Sequence, residues 1–226
     1  MDDENDVIEM ITAGTFNEKN GKKYLISASG TAKTGRRKYK GKTYFFDSTG
    51  AMMIGKVTYK NKTYFTKANG TLAKKGWVTS NGKTYYLNSN GTLQTGWFKA
   101  KGKKYYADAS GNNMGVPYIG VQQIKKKIYV FDSSGVLGKG WTVYGSRKYY
   151  ANAKGEITRG FKTIDGKTYF FNDYGSMHTG WLYYNGKYYY LNPSDGVMVT
   201  GTKNIGGTSY TFSDSGISSR ALEGNW

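Results

Sequence analysis

Aromatic rings at fixed spacing are the side chains of this sequence that could do chemistry. Five directly follow a glycine, and each has a second ring nine residues later: Trp77 with Tyr86, Trp97 with Tyr106, Trp141 with Tyr150, Phe161 with Phe170, and Trp181 with Tyr190. An aromatic ring presents an apolar face with a π-electron cloud, which packs against other apolar groups or attracts an organic cation. These ten rings are therefore candidate ligand-binding residues, and the alternative is that they pack neighbouring elements together.

A lysine stands three residues before the second ring in four of these pairs, directly after a glycine. The lysines are Lys83, Lys103, Lys167 and Lys187. A lysine beside an aromatic site can donate hydrogen bonds to hydroxyl groups or contact a phosphate. The alternative is a solvated charge at the tip of a turn.

Catalytic groups are scarce in this sequence. The single histidine, His178, has no cysteine to accompany it, and we expect it at the surface. Four aspartates share one repeated position with four asparagines: Asp47, Asp108, Asp132 and Asp214 with Asn88, Asn152, Asn172 and Asn192. Both residue types cap turns through a side-chain oxygen, whereas asparagine cannot replace a general acid. We expect no enzymatic activity, no metal and no cofactor.

The charge of the chain is strongly positive. It has 226 residues and a net charge of +18, although five of its fifteen acidic residues lie in the first ten positions. A basic surface favours anionic partners such as teichoic acids, nucleic acid or anionic lipid, and otherwise serves solubility. No apolar run is long enough for a membrane span, so we expect no membrane insertion. We interpret residues 1–13 as an acidic tail or linker and the chain as part of a larger secreted protein.

An internal repeat of about 20 residues runs through the rest of the chain. A glycine opens each predicted unit: Gly14, Gly35, Gly55, Gly76, Gly96, Gly115, Gly140, Gly160, Gly180 and Gly201. The spacing after Gly115 is longer and predicts an extended turn over residues 116–127, which includes Pro117. The units that open at Gly14, Gly35, Gly55 and Gly201 have no ring directly after the glycine. Ten units therefore span residues 14 to about 220.

One unit, residues 76–95, shows the predicted structure of them all. Asn81-Gly82 is a strong signal for a two-residue hairpin turn, because both central residues of a type I′ turn need positive φ. Residues 83–87 are aromatic and β-branched, as in a strand, and residues 88–91 form a second turn. A single hairpin is marginally stable, whereas stacked copies bury each other's faces. We predict an all-β fold, a β-solenoid of about ten stacked hairpins over residues 14–226.

The second strand of each unit has two faces. Its first aromatic position is tyrosine in all ten units, for example Tyr85, and an apolar residue such as Leu87 usually follows two positions later. Strand residues two apart share a face, so this face is the predicted core. The ring between them, such as Tyr86, points the other way and is free to meet a ligand or the next hairpin.

The pattern of glycine-aromatic, glycine-lysine and paired aromatics resembles the cell-wall-binding and glucan-binding repeat superfamily, which includes choline-binding modules, the C-terminal domains of glucansucrases and the repeats of large clostridial toxins. The resemblance covers nearly all of the chain after residue 13. It implies shallow ligand sites between consecutive hairpins. Choline-binding repeats place a tryptophan before the tyrosine pair, whereas this chain has Thr43, Thr63, Thr84, Lys104, Lys148, Thr168 and Tyr188 there. The sequence is more similar to glucan-binding repeats.

Three hypotheses about the partner follow from these features. The first is a non-catalytic, secreted or cell-wall-associated module that binds an α-glucan or a related polysaccharide through its aromatic sites. The second is attachment to an anionic or choline-bearing teichoic acid of the cell wall. The third is a protein-binding adhesion or spacer array. Nucleic acid would also suit aromatic residues interleaved with lysines, but the repeat itself accounts for the same residues.

Overall fold

Twenty short strands make up most of the chain. The computed structural model describes residues 14–219, and the predicted tail at residues 1–13 lies outside them. The strands are β1 (Gly14–Lys19), β2 (Lys22–Ser27), β3 (Gly35–Tyr39), β4 (Lys42–Phe46), β5 (Gly55–Tyr59), β6 (Lys62–Thr66), β7 (Gly76–Ser80), β8 (Lys83–Leu87), β9 (Gly96–Ala100), β10 (Lys103–Ala107), β11 (Gly120–Ile124), β12 (Lys127–Phe131), β13 (Gly140–Tyr144), β14 (Arg147–Ala151), β15 (Gly160–Ile164), β16 (Lys167–Phe171), β17 (Gly180–Tyr184), β18 (Lys187–Leu191), β19 (Gly201–Ile205) and β20 (Thr208–Phe212). The described part of the chain contains one 3₁₀ turn, Gly111–Asn113, and no α-helix, so no helix in it is long and apolar enough to cross a membrane.

Consecutive strands pair to form ten two-stranded sheets, which confirms the predicted hairpins. The turn at Asn81-Gly82 has φ values of 49° and 71°, as a type I′ turn requires. In the hairpin of β7 and β8, Trp77 lies opposite Tyr86 and Gly76 opposite Leu87. The two-residue turn thus fixes the register and places each candidate ring beside its partner.

The hairpins stack in two compact units, one of residues 14–102 and 106–117, the other of residues 103–105 and 118–219. Within each unit, backbone hydrogen bonds join neighbouring hairpins. The Met52 amide donates to the Lys23 carbonyl at 2.8 Å, and the Met177 amide donates to the Lys148 carbonyl at 2.8 Å. In both cases the loop after one hairpin bonds to the second strand of the hairpin before it. Each unit is therefore a β-solenoid, the predicted fold class.

The predicted core face is buried. The repeated tyrosine is buried in eight hairpins and partly buried at Tyr24 and Tyr210, which belong to the first and last hairpins of the described chain. The position two residues later is also buried in nine of the ten hairpins, including Leu87 and Phe171. Thr66 is the polar exception at this position, and its hydroxyl donates to the Met53 carbonyl at 2.8 Å. This hydrogen bond satisfies the buried hydroxyl.

Within each unit, the opposite face of a hairpin packs toward the next hairpin, and its burial depends on residue type. Phe45, Phe65 and Phe170 are buried there, whereas the tyrosines at the same position, such as Tyr86 and Tyr150, are only partly buried. A tyrosine hydroxyl needs water or another hydrogen-bond partner, whereas a phenylalanine ring has no such requirement. This face is a second packing surface, and its tyrosines retain solvent contact.

Two register predictions were wrong. Strand β11 begins at Gly120, so Gly120 opens the sixth hairpin, and Gly115 belongs to the preceding loop, where it abuts Leu93. The extra residues lie in the loop of residues 108–119, and residues 120–127 belong to the sixth hairpin rather than to the predicted extended turn. In the first hairpin, Phe16 lies opposite Leu25, the position that a tryptophan takes in later hairpins. The first hairpin therefore does have the ring that alignment on Gly14 missed.

The repeated aspartates and asparagines build turns, as predicted, except that Ser213 rather than Asp214 takes this position in the last described hairpin, where its Oγ atom accepts from the Ile217 amide at 3.1 Å. The Asp132 Oδ1 atom accepts hydrogen bonds from the backbone amides of Ser134 and Val136, each at 2.9 Å. The Asn172 Oδ1 atom accepts the two equivalent bonds, from Tyr174 at 3.0 Å and Ser176 at 3.1 Å. Because the carboxylate and the amide make the same bonds, the shared position has a structural role.

Candidate functional site

The five predicted ring pairs all form. Each pair lies across one hairpin with ring centroids 5.0–5.3 Å apart and planes 64–76° apart: Trp77–Tyr86, Trp97–Tyr106, Trp141–Tyr150, Phe161–Phe170 and Trp181–Tyr190. This edge-to-face geometry is the favoured arrangement of neighbouring aromatic rings. The pairs differ in what the following hairpin places against them, and this difference decides which of them are open.

Trp141 forms one wall of an open cleft of about 300 Å³ in the second unit. Its indole ring remains 41% exposed and meets Tyr169 of the next hairpin, with centroids 4.9 Å apart and planes 75° apart. The other lining residues are Thr142, Val143, Lys148, Met177 and Asp195. They come from three consecutive hairpins and their loops, so a single hairpin cannot form this site.

The Trp141 cleft combines apolar walls with two opposite charges. Lys148 and Asp195 both line it, and the Asp195 Oδ1 atom accepts a hydrogen bond from the Val197 amide at 3.0 Å. This bond orients the carboxylate at the cleft. The arrangement offers ring faces for apolar C–H groups together with a hydrogen-bond donor and acceptor for polar ones.

A cleft of the same construction, of about 380 Å³, lies in the first unit. Phe16 takes the place of Trp141 and meets Tyr44 with ring centroids 5.1 Å apart. Burial, and then the nearby Tyr39, raise the pKa of Tyr44 above its ordinary value. The remaining lining residues are Asn17, Glu18, Lys23, Met52 and Asn69. This cleft also holds one acidic and one basic side chain, but its carboxylate comes from a different position.

Trp181 also lies among aromatic rings in the second unit. It meets Tyr210 of the next hairpin with centroids 4.8 Å apart and planes 70° apart. The register places Tyr183 opposite Tyr188, one step along the face that carries Trp181, and their centroids are 4.8 Å apart. Tyr183 is 64% exposed. An aromatic side chain, Tyr188, thus stands at the position that Lys148 has at the Trp141 cleft.

The Phe161–Phe170 pair is closed. Phe170 is 6% exposed and belongs to a core cluster with Leu182 and Tyr189. The Tyr184 ring lies over both phenylalanines, with centroids 5.7 Å from Phe161 and 5.0 Å from Phe170. The packing alternative therefore describes this pair better than a ligand site.

The two tryptophan pairs of the first unit keep part of their surface exposed, and the Trp77–Tyr86 pair packs against the buried Phe98. Trp77 is 38% exposed, with its centroid 5.9 Å from that of Phe98, and Tyr86 stacks on Phe98 at 5.0 Å. Trp97 is partly buried and pairs with Tyr106. All four candidate rings keep some exposure, so a ligand role for them stays a prediction.

At two junctions between consecutive hairpins of the first unit, a cationic side chain stands where the clefts have an aromatic ring. Arg36 lies over the Tyr64 ring at 5.7 Å, and Lys56 lies over the Tyr85 ring at 5.7 Å. In both, the cation of one hairpin covers the tyrosine of the next. A cation over a ring face is an attractive contact, and it occupies the surface that a ligand would use.

The candidate lysines differ in their contacts. The Lys83 ammonium donates to the Asn113 side chain at 2.9 Å and to the Asn112 carbonyl at 3.2 Å, so it holds the 3₁₀ turn in place. Lys103 interacts electrostatically with Asp132 in a neighbouring loop. These contacts favour structural roles for both side chains. Ligand contact by Lys167 and Lys187, which are exposed, stays a prediction.

His178 is partly buried rather than at the surface as expected. Its Nε2 atom lies 2.8 Å from the Trp181 carbonyl oxygen, and its ring lies 6.2 Å from that of Phe170. These contacts give His178 a packing role beside the Trp181 strand. They also place the single histidine of the sequence away from the lining of the Trp141 cleft.

Sequence reasoning proposed only Trp141 among the residues that line this cleft, and three of those it missed come from the next two repeats. Tyr169 appeared only as a core residue, although its ring forms both the core and the cleft wall. Met177 and Asp195 lie in variable loop positions that carry no signal within one repeat. An alignment of each repeat with the two repeats that follow it would have found them, because Met52 and Asn69 take the equivalent positions at the first cleft.

The fold and the clefts define a repeat protein of stacked hairpins with shallow sites between neighbours. Residues 33–77, 74–116 and 158–202, together more than half of the chain, match the family model of the choline-binding repeat. The chain belongs to the choline-binding repeat family. No relative was found among curated protein sequences.

Solved structures share this fold. CbpJ from Streptococcus pneumoniae TIGR4 is 23% identical with a TM-score of 0.52, over 92% of this chain and 94% of that chain. The choline-binding domain of CbpL from Streptococcus pneumoniae is 23% identical with a TM-score of 0.58, over 84% of this chain and 100% of that chain. The modular autolysin LytC from Streptococcus pneumoniae, in complex with a synthetic peptidoglycan ligand, is 21% identical with a TM-score of 0.63, over 92% of this chain and 46% of that chain.

Proposed function

We propose that this chain is a non-catalytic module that binds a bacterial surface polysaccharide, with an α-glucan as the first ligand to test. The observation that carries the proposal is the Trp141 cleft, where a half-exposed indole ring stands beside Thr142, Lys148 and Asp195. A pyranose has apolar C–H faces that pack on such a ring and hydroxyl groups that need donors and acceptors nearby. Secretion, association with the cell wall and fusion to a larger protein belong to the same proposal.

Repetition of the site supports a polymer as the ligand. The clefts at Phe16 and at Trp141 have the same construction, and each is shallow and open. A single sugar unit gains little from one such contact, whereas a polymer that spans several clefts gains from their effective concentration. The function is therefore attachment to a polymer rather than capture of a free sugar.

Affinity electrophoresis in native gels for cationic proteins tests the proposal, with dextran, starch or no polymer cast in the gel. We expect retardation by a neutral glucan at moderate salt, because charge then contributes little. Trp141→Ala should reduce this retardation, and Phe170→Leu is the matched control because that ring is buried. Equal mobility in all three gels would contradict the α-glucan proposal, as would undiminished retardation of the Trp141→Ala variant.

A quaternary ammonium ligand is a second candidate, and it is favoured by one site only. At the Trp181 site, Tyr210 and Tyr188 stand where a cation would find ring faces on more than one side. The family name and the relatives that bear it point to choline. At the Trp141 cleft, by contrast, the Lys148 ammonium would repel such a ligand, although Asp195 would attract it.

Calorimetric titration with choline chloride separates the two candidates. If Trp181 and its neighbours bind choline, Tyr188→Thr, which copies the threonine at position 168, should weaken binding, and Lys148→Tyr should add affinity at the other cleft. The Lys148→Gln variant controls for the loss of charge. The absence of choline binding by the unaltered chain at millimolar concentrations would reject this candidate and leave the polysaccharide proposal in place.

A further inference from the structure

A pocket lined by lysines lies between the tip of the β3–β4 hairpin and the loop after β6, in the first unit. It measures about 280 Å³, and its charged lining consists of Lys42, Lys67 and Lys74. The other lining residues are Gly41, Thr43, Asn69, Thr71 and Leu72. The lining contains no acidic residue, and these three ammonium groups make no ion pair within the described chain. Three like charges around one small pocket repel each other unless an anion lies between them.

Lys67 breaks the rule that the other loops follow. The residue three positions after the repeated core tyrosine, which is Lys67 here, is Asp, Asn or Ser in the other described hairpins: Ser27, Asp47, Asn88, Asp108, Asp132, Asn152, Asn172, Asn192 and Ser213. The backbone turn is nevertheless unchanged, since the Lys67 amide donates to the Thr71 carbonyl at 2.8 Å, just as the Asp132 amide donates to Val136 at 2.9 Å. The turn therefore does not need a lysine, and its presence has to be explained by something other than folding.

The charge at this junction is reversed relative to that at several other junctions. At those junctions the lysine at a hairpin tip faces an acidic side chain in the next loop, as Lys22 faces Asp47. Lys127 forms an ion pair with Glu156, and Lys103 interacts electrostatically with Asp132. Here the tip lysine is Lys42, and the next loop supplies Lys67 instead of a carboxylate. A ligand anion would take the place that the protein's own carboxylate has beside Lys103 and Lys127.

We propose that Lys42, Lys67 and Lys74 bind a phosphate group of a phosphodiester-linked surface polymer. Lysine ammonium groups bind phosphate as point charges through charge-assisted hydrogen bonds. Asn69 adds a neutral donor, because its Oδ1 atom accepts from Thr71 at 3.1 and 2.7 Å and its amide nitrogen is left to donate. Residues 14–102 carry eighteen lysines and arginines but only two acidic residues, Glu18 and Asp47, so the field of this region attracts a polyanion.

The phosphate pocket adjoins the first aromatic cleft. Asn69 lines both the lysine pocket and the cleft formed by Phe16 and Tyr44. A polymer with alternating phosphate and sugar or polyol units can therefore occupy the two sites side by side. The choice of a wall polymer rests on the proposed function. A nucleic acid is less suitable, because the pocket lining contains no ring on which a base could stack.

Calorimetric titration of the full chain with poly(glycerol phosphate) tests the pocket. The informative variant is Lys67→Asn, which restores the residue type of the other loops and so preserves the turn. Lys154→Asn removes the same charge from an exposed position in another loop and is the control. We expect Lys67→Asn to weaken binding by about fivefold or more, Lys74→Gln to behave alike, and Lys154→Asn to leave the affinity nearly unchanged. Retardation by neutral glucan should stay the same in all three variants.

Four outcomes would overturn the proposal. Equal affinities of Lys67→Asn and Lys154→Asn would mean that the general field, not the pocket, attracts the polymer. Inorganic phosphate that competes as well as an equal concentration of polymer repeat units would indicate a small-anion site. Oligothymidylate that binds as tightly, and depends equally on Lys67, would indicate nucleic acid. No binding of poly(glycerol phosphate) would reject the site. In contrast, a Trp141→Ala variant that is no longer retarded by glucan but still binds poly(glycerol phosphate) would leave the proposed phosphate site standing.

Discussion

Trp141 meets Tyr169 of the following hairpin edge to face, with ring centroids 4.9 Å apart. Tyr169 is 9% exposed and Trp141 is 41% exposed, so one ring belongs to the core and the other faces the cleft. The contact joins stability and binding at one place, because the buried ring holds the exposed ring in a fixed orientation. A preoriented ring loses little conformational entropy when a ligand binds.

Substitution of the two kinds of ring should separate binding from stability. Trp141→Ala should lower retardation by glucan while reducing the stability by about 1–2 kcal/mol, since the ring is only half buried. Phe170→Ala should cost about 3 kcal/mol or more, because it leaves a cavity in a core cluster. Thermal unfolding and affinity electrophoresis on both variants measure the two effects. A greater loss of stability in Trp141→Ala than in Phe170→Ala would assign Trp141 to the core.

Two glycines of the first unit should differ sharply in their tolerance of alanine. Gly91 and Gly96 have φ values of 87° and 68°, so alanine is strained at both by about 1–2 kcal/mol. A Cβ atom at Gly91 would lie 2.8 Å from the Ala73 carbonyl oxygen and 2.8 Å from Leu72, whereas one at Gly96 meets nothing within 4 Å. Overpacking should add about 1–3 kcal/mol at Gly91 alone.

The melting temperatures of Gly91→Ala and Gly96→Ala check this prediction. A clearly lower value for Gly91→Ala is expected. Equal melting temperatures would mean that the loop moves away from Leu72 without cost, and that the packing between the loops contributes little to stability.

Acid should destabilise the fold partly through Asp132. Burial raises the pKa of its carboxyl group, but hydrogen bonds from Ser134 and Val136 outweigh this and hold the pKa below its ordinary value. The depressed folded-state pKa means that the carboxylate stabilises the fold above the unfolded value of about 3.9, and that this stabilisation is lost as the pH falls through the folded value. Asp132→Asn should retain the turn, because Asn172 accepts the same hydrogen bonds at its own turn. It should therefore weaken the dependence of stability on pH.

Thermal unfolding of both proteins between pH 2 and pH 6 provides the measurement. The unaltered chain should lose more stability than Asp132→Asn as the pH falls below about 4. Parallel curves for the two proteins would show that Asp132 is not a source of the acid sensitivity.

A new aromatic cleft should form when Lys56 is replaced by tryptophan. Lys56 lies opposite Phe65 and over Tyr85 of the next hairpin, which is the position that Trp141 has relative to Tyr169. Lys56→Trp should therefore strengthen retardation by neutral glucan by about twofold or more, since one further weak site adds to a multivalent contact. Lys56→Gln, which removes the charge without adding a ring, should not. Identical retardation of the two variants would show that a ring pair alone is not sufficient.

The hairpins and their registers were predictable from local sequence. The positive φ required at Asn81 and Gly82 restricts the turn to two residues, and a two-residue turn fixes which side chains lie opposite each other. Trp77 and Tyr86 therefore had to be neighbours. The same reasoning failed at β1, which like its partner β2 is one residue longer than the other strands, so that Phe16 rather than Thr15 takes the ring position.

Whether each ring is exposed to a ligand or covered by the next hairpin was not predictable from its own repeat. Phe161 and Trp141 follow equivalent glycines, but Tyr184 of the next hairpin covers Phe161. Lys83 looked like a ligand contact until its bonds to the 3₁₀ turn, about thirty residues away in sequence, were known. Both outcomes depend on side chains of another repeat, whose variable positions obey no local rule.

The sequence by itself determined the repeat, the turns, the strand register of most hairpins and the buried tyrosine face, because each of these follows from interactions within about twenty residues. Its composition also excludes a histidine–cysteine pair. The tertiary structure decided which rings form clefts, that Asp195 reaches the Trp141 cleft, and that Lys42, Lys67 and Lys74 meet in one pocket. These features combine side chains from two or three successive hairpins. Stacking of the hairpins brings them together, and the geometry of stacking is set by packing between repeats rather than by any one of them.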